Sequence, residues 1–284
     1  MKLLKRLDAS YPTLLGEIFD APSALYYMGT ANVLAEPCVA VVGTRRCTPY
    51  GEAMAFELGR DLARAGVCVV SGLAFGIDAA AHRGALEGGG VTAAVVAQHL
   101  EDIHPMKHRQ LAGEIVAKGG TILSEKAPGA ECFKSDYLVR NRIIAGLCKA
   151  IVVVEAGFPS GALNTAAHAG RENREVFAVP GRMTDLMSVG CNGLIARGEA
   201  RLLLSVRQVL DFLGVTEMKR HAVVLNELEQ RLVDFIRADP RHPGELAELC
   251  GVSFGELYEA LTNLEMRGLV WMAGDQRYAA CGGN

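Results

Sequence analysis

Two rhythms of apolar and polar positions alternate through most of the chain. Short apolar, largely β-branched runs recur at Val39–Val42, Val67–Ser71, Val91–Ala97, Ile122–Ser124, Ile151–Glu155 and Val176–Val179, with a shorter segment at Arg201–Leu204. Runs of this length, closed by glycine or polar residues, predict strands buried on both faces. Between most of them, apolar positions three and four apart predict helices. Strand and helix in alternation imply an α/β fold with a doubly wound, mostly parallel sheet, and a ligand site at the carboxyl ends of the strands. The ends Gly43, Ser71–Gly72, Ser124–Glu125, Glu155 and Pro180–Gly181 are therefore expected on one rim. Residues 1–37 read as a lead-in with helical pieces and turns at Tyr11–Pro12, Ala21–Pro22 and Met28–Gly29.

After Leu213–Gly214 the rhythm changes. Three short amphipathic segments, Glu227–Arg237, Pro243–Cys250 and Phe254–Arg267, precede Leu269–Met272, a turn at Gly274–Asp275, and Arg277–Ala279. Three helices and a hairpin predict a winged helix, with Gly251 in the turn before its third helix. The expected division is a sheet domain over 38–214, a linker near Gly214–Ala222 and a winged helix over 222–282.

Composition agrees with two domains: 284 residues, half of them hydrophobic, with a net charge of -3. Eight cysteines are scattered without a C-x-x-C, several inside apolar runs, which points to reduced thiols and a cytoplasmic protein. MKLLKRLDAS lacks the apolar core of a signal peptide, and no run approaches the ~18–20 apolar residues of a membrane span. From Thr216 onward there are 7 Lys/Arg against 11 Asp/Glu, and 22 against 21 in the remainder. Neither part is globally basic, so any nucleic-acid contact must come from a local cluster.

The stretch VAVVGTRRCTPYG (Val39–Gly51) is one candidate for such a cluster. Gly43 ends a strand, Thr48 suits an N-cap and Pro49 a first helical position. Free N–H groups at such a helix start attract anions, and Arg45 and Arg46 add two cations. Neither a Walker A nor a full G-x-G-x-x-G is present, so spacing alone also describes an ordinary connection with two solvated arginines. SGLAFGID (Ser71–Asp78) repeats the pattern, with Gly72 and Gly76 permitting close backbone approach and a helix starting near Ile77. Asp78 and His82 share a helix face, but a first-turn aspartate beside the helix's positive end explains them without catalysis. Pro105 places His104 before the helix that carries His108, so this pair need not share a face, and with His99 no metal site is expected; Lys107 and Arg109 are either solvated or rim cations.

KSDYLVRNR (Lys134–Arg142) is the densest cationic segment, read as a loop before the apolar helix IIAGLCKA. Lys134 and Tyr137 join a phosphate-seeking cation to a stacking face, a pairing suited to single-stranded nucleic acid. Its arginines could equally pair with Glu125 and Glu155. Glu155, before the turn Phe158–Gly161 with Ser160 as N-cap, could serve an acid/base role or accept loop N–H groups. In the winged helix, Phe254–Arg267 would bring Glu256, Glu259 and Glu265 toward phosphates with only Arg267 in compensation, so duplex reading is not expected.

In order, VAVVGTRRCTPYG, SGLAFGIDAAAH, LSEKAPG, RNRIIAGL, VVVEAGFPSGALNTAAHAG and VFAVPG resemble the bacterial DNA-processing protein A (DprA/Smf) family over roughly residues 11–213. The resemblance implies a Rossmann-like domain that binds single-stranded DNA without catalysis, dimerises, needs no cofactor, and protects incoming DNA while helping to load the RecA recombinase in natural transformation. It assigns Arg45 and Lys134 to DNA contact and Tyr137 to base stacking, and places Ser71, Gly72, Gly76 and Arg140 around the same pocket. One departure is AQHLEDIHP (Ala97–Pro105), where the family has G-x-G-x-D-x-x-Y-P; the lost glycines should restrict approach near Lys107. The family's amino-terminal helical domain is expected to be absent or reduced. The alternative is a nucleotide hydrolase of the lysine-decarboxylase-like (phosphoribohydrolase) fold group using Glu155, although that group's P-G-G-x-G-T-x-x-E is not matched by EAGFPSGALNTA.

Overall fold

The computed structural model describes residues 1–215, 225–266, 269–273 and 276–280. The chain divides into two compact units, residues 1–220 and 221–284. The larger unit is built on nine strands: β1 (Lys2–Lys5), β2 (Ala24–Gly29), β3 (Cys38–Val42), β4 (Cys68–Ser71), β5 (Thr92–Val95), β6 (Thr121–Ser124), β7 (Ala150–Val153), β8 (Glu175–Ala178) and β9 (Arg201–Leu202). Their spatial order is β1-β2-β6-β5-β4-β3-β7-β8-β9. Strands β3 to β9 pair in parallel, while β1 and β2 are antiparallel additions at one edge.

Period-two geometry divides each central strand between two layers. Val39 and Val41 of β3 pack with α2 (Pro49–Arg64), α3 (Ile77–Glu87) and α8 (Val206–Leu213) through Leu62, Ile77, Ala81 and Leu210. Ala40 and Val42 face the other layer, where α1 (Thr13–Glu17), α5 (Asp136–Leu147), α6 (Gly161–Arg171) and α7 (Val189–Ala196) contribute Leu15, Ile144, Ala166 and Leu194. A further cluster under α4 (Arg109–Ala117) closes the sheet near β5 and β6. Burial on both faces is why these strands read as unbroken apolar runs; each fully buried Val, Leu or Ile contributes about 1.5–3 kcal/mol.

The order of strand addition reverses at β3. From there the chain winds outward through β4, β5 and β6, then returns to β7 on the other side of β3 and continues to β8 and β9. The crevice between the carboxyl ends of β3 and β7 is thus the topological switch point, where open α/β sheets place ligands.

Two expectations need correction. Residues 1–37 are not a separate lead-in, because β1 and β2 join the sheet, with Tyr27 paired to Leu123 and Met28 to Ile122. β1 is exposed apart from Leu4, and β2 is half-buried apart from Leu25, its apolar run Ala24–Met28 lying between two turn signals. The turn signals at Ala21–Pro22 and Met28–Gly29 mark the ends of β2. Second, the segment Lys134–Arg142 is not a loop: α5 begins at Asp136, and Tyr137, Arg140 and Arg142 lie on its first two turns.

The smaller unit has α9 (Glu227–Ala238), α10 (Pro243–Cys250) and α11 (Phe254–Met266), with β10 (Val270–Met272) antiparallel to β11 (Tyr278–Ala280). Leu232, Ile236, Leu246, Leu257, Leu261 and Tyr278 form its core. Gly251 ends α10 in the left-handed region at φ 65°, the C-cap conformation that glycine adopts without strain. The expected turn Gly274–Asp275, Arg267 and most of the expected linker lie outside the described residues.

Candidate functional site

At the switch point, Gly43 passes the chain from β3 into the loop Thr44–Cys47, and Thr48 caps α2 by accepting from Gly51 N at 3.1 Å. Pro49 occupies the first turn, as its fixed φ favours. Glu155, at the end of β7, holds this turn: its carboxylate accepts from Thr48 N at 2.9 Å and from the Thr48 hydroxyl at 2.5 Å, while its carbonyl accepts from Thr44 N at 2.8 Å. Glu155 is 1% exposed, and a Cβ at Gly51 would collide with its carboxylate. A glycine is therefore required there for the carboxylate to seat. The acid/base role for Glu155 loses its basis: both oxygens serve the loop, and no arginine among the described residues pairs with it.

The second loop lies beside the first. Gly76, at φ 73°, sits against the backbone of Thr44 and Arg45, where any side chain would clash, and Ile77 N donates to Thr44 O at 3.3 Å. Asp78 accepts from Gly72 N at 3.1 Å and Ala74 N at 3.4 Å. Burial pushes its carboxyl above the usual aspartate value, and the Arg140 charge and these N–H groups oppose that rise. Arg140 is itself buried; its guanidinium donates to the carbonyls of Gly72, at 3.0 Å, and Val95.

The predicted site residues thus separate into two groups. Ser71 is fully buried with its hydroxyl on Val41 O at 2.7 Å, a Cβ at Gly72 would run into the Arg140 guanidinium, and Gly76 is occupied with the neighbouring loop. These three shape the rim and present no side chain to a ligand, unlike the expectation that they line the pocket. Arg140 and Asp78 form part of its floor. Arg142 does not face the cleft either: Nε donates to Asp20 Oδ2 at 2.8 Å, and one terminal nitrogen donates to both Glu125 oxygens at 2.9 Å. The expected partnership with Glu125 is present and that with Glu155 is absent.

Arg45, Lys134 and Tyr137 come together. The Arg45 guanidinium lies over the Tyr137 ring at 5.1 Å from its centroid. Both residues line one cleft of about 1030 Å³ with Arg46 and Lys134. Arg45, Arg46 and Lys134 are exposed and Tyr137 half-buried. Cations beside an aromatic face offer an anion a charge and a planar group a surface. Phe158, Leu186 and Val189 line the same cleft, while Ser160 caps α6 through Ala162 N at 3.2 Å. Phe158 and Leu186 were not legible as site residues, because an apolar residue in a turn carries no chemical signature of its own.

Other candidates have local roles. His82 is fully buried, its Nδ1 2.7 Å from Thr92 Oγ1. The Thr92 hydroxyl already donates to Val69 O, so Nδ1 must be the donor. Burial, aided by the charges of His108 and Arg140, lowers its pKa to about 3. His108 is bound to Leu73 O at 2.9 Å. Among the described residues, no group of three or more His, Cys, Asp or Glu is placed to hold a metal ion. The Ala97–Pro105 segment bonds to itself and to the rim, through Gln98 to His104 O and Ser124 to Gln98 O. Lys107 is not among the cleft-lining residues. No helix among the described residues is long and apolar enough to cross a membrane. On α11, exposed Phe254 and Tyr258 stand with exposed Glu256 and Glu259, an acidic surface as expected.

Residues 2–214 match the family described as DNA recombination-mediator protein A, and residues 216–273 match the DprA winged helix domain. The chain is 43% identical over 204 residues to DNA processing protein DprA of Streptococcus pneumoniae, covering 72% of this chain and 71% of that protein. It is 38% identical over 243 residues to a putative DNA processing protein DprA of Mycobacterium tuberculosis, covering 85% of this chain and 58% of that longer one. The crystal structure of the S. pneumoniae protein superposes with a TM-score of 0.70 at 42% identity, over 74% of this chain and 73% of that one. DNA processing protein A of Helicobacter pylori, whose structure is described for its single-stranded DNA binding mode, gives 0.67 at 29% identity over 75% and 96%. The chain belongs to the DNA recombination-mediator protein A family.

Proposed function

From that membership and the geometry of the cleft, we propose that the larger unit binds single-stranded DNA. Arg45 and Lys134 hold phosphates, the Tyr137 ring stacks a base, and Arg140 with the Ser71–Gly76 loop keeps the floor in place. The observation that carries this reading is the convergence of Arg45, from the β3–α2 loop, onto Tyr137 of α5, beside Lys134 in one open cleft. A backbone-tracking cation next to a π face suits an unpaired strand; a duplex hides its bases from such a face. The role is one of binding, not catalysis: the protein covers incoming single strands, works as a homodimer through the larger unit, and helps to load a RecA-type recombinase in transformation.

Fluorescence anisotropy with an oligo-dT and a duplex of equal length tests the reading, with light scattering for the mass. Preference for the single strand, lost on replacing Arg45 or Lys134 by Ala, is the expected result. Equal affinity for both forms, or variants that bind like the unaltered protein while remaining folded, would refute it.

A further inference from the structure

The cleft is lined by side chains of unlike chemistry. Arg45, Arg46, Lys134 and Tyr137 line it, and so do Phe158 and Leu186. Phe158 is 83% exposed and Leu186 74%. They come from separate segments, the β7–α6 turn and the chain between β8 and α7. Folding gives no reason to hold two large apolar side chains in water at the mouth of a cleft, since burial favours each. Their mounts are nevertheless fixed. Ala156 N donates to Met187 O and Gly190 N to Ala156 O, both at 2.8 Å, so the two segments are stapled together.

We propose that Phe158, flanked by Leu186, is a second base-stacking platform, so that a strand held through its phosphates by Arg45 and Lys134 rests one base on Tyr137 and another on Phe158. The proposal rests on the single-stranded DNA reading of this cleft and adds to it a contact residue. A protein segment apolar enough to cover Phe158 and Leu186 would leave the cations of the same cleft unpaired. A polynucleotide supplies the anion and the π face together, at the spacing of one nucleotide.

The test uses the full chain, an oligo-dT, and an abasic phosphodiester oligomer of the same length, titrated over a salt series with light scattering alongside. Phe158→Ala is expected to weaken dT binding about 5- to 150-fold, the range that corresponds to one stacked base. The slope of log affinity against log salt, and binding of the abasic oligomer, are expected to stay unchanged, because no phosphate contact is lost. Phe158→Trp, placed in a Trp271→Phe background, should retain affinity and show fluorescence quenched by dT but not by the abasic oligomer. Unchanged dT affinity in Phe158→Ala, or an equal loss on the abasic oligomer, would overturn the proposal. A lower mass for Phe158→Ala would also overturn it and assign Phe158 to contact between copies of the chain. If the unaltered protein fails to bind dT, the reading of the cleft falls first, and this proposal with it.

Discussion

Removal of the Glu155 carboxylate should loosen the loop that carries Arg45. Glu155 is buried and accepts two hydrogen bonds from Thr48, one from the backbone N–H and one from the hydroxyl. Hydrogen bonds to a charged acceptor contribute about 1.5–3 kcal/mol each, and a buried N–H left without a partner costs a similar amount. Glu155→Ala should therefore destabilise the larger unit by about 3–5 kcal/mol. Glu155→Gln keeps an oxygen for Thr48 N–H and fills the same volume, so its cost should be nearer ~1 kcal/mol. Urea unfolding followed by far-UV circular dichroism measures both. Tryptophan fluorescence would follow the wrong unit, because the single tryptophan, Trp271, lies in the smaller one. If the alanine variant proved no less stable than the glutamine variant, the carboxylate would not be what holds the turn.

Other perturbations test separate parts of the account. Arg45→Ala or Lys134→Ala should weaken oligo-dT binding by ~1–3 kcal/mol and lower the salt slope by about 0.7, measured by anisotropy at several salt concentrations. Tyr137→Phe should bind as the unaltered protein does, whereas Tyr137→Ala should lose ~1–3 kcal/mol with the salt slope retained. His82 has a folded-state pKa of about 3, below its unfolded value, so the unfolded chain binds a proton that the native one refuses. Stability should thus fall as pH drops from about 6.5 toward 3, by up to ~1.4 kcal/mol per unit, and His82→Leu should flatten that segment of the unfolding profile. Gly76→Ala, which forces a side chain into the backbone of Thr44 and Arg45, should lower both melting temperature and dT affinity; a variant with neither effect would show that the two loops do not brace each other.

What the sequence revealed followed burial. Strands β3 to β8 sit with both faces covered, so composition alone marked them, and Thr48, Pro49 and Ser160 announced the helix starts that aim loops at the crevice. Strand β1 escaped notice because this edge strand is exposed along most of its length, and β2 because its short apolar run Ala24–Met28 is only half-buried and sits between turn signals. Lys134–Arg142 looked like a loop because its charges hid the helix; Arg140 and Arg142 are buried cations whose partners, the Gly72 and Val95 carbonyls, Asp20 and Glu125, are distant in sequence. Glu155 accepts loop N–H groups, as its place before a turn suggested, but the same distance concealed which loop it serves, since Thr48 lies more than a hundred residues earlier. Arg45, Lys134 and Tyr137 were legible as a cation–aromatic set. Their meeting in one cleft required the fold.

Photo-crosslinking with an oligonucleotide carrying 5-iododeoxyuridine, followed by mass spectrometric mapping, tests the central claim most directly. Crosslinks on Tyr137, and on peptides containing Arg45 or Lys134, are the predicted result. Crosslinks confined to α11 or elsewhere in residues 221–284, with those peptides unmodified, would contradict it.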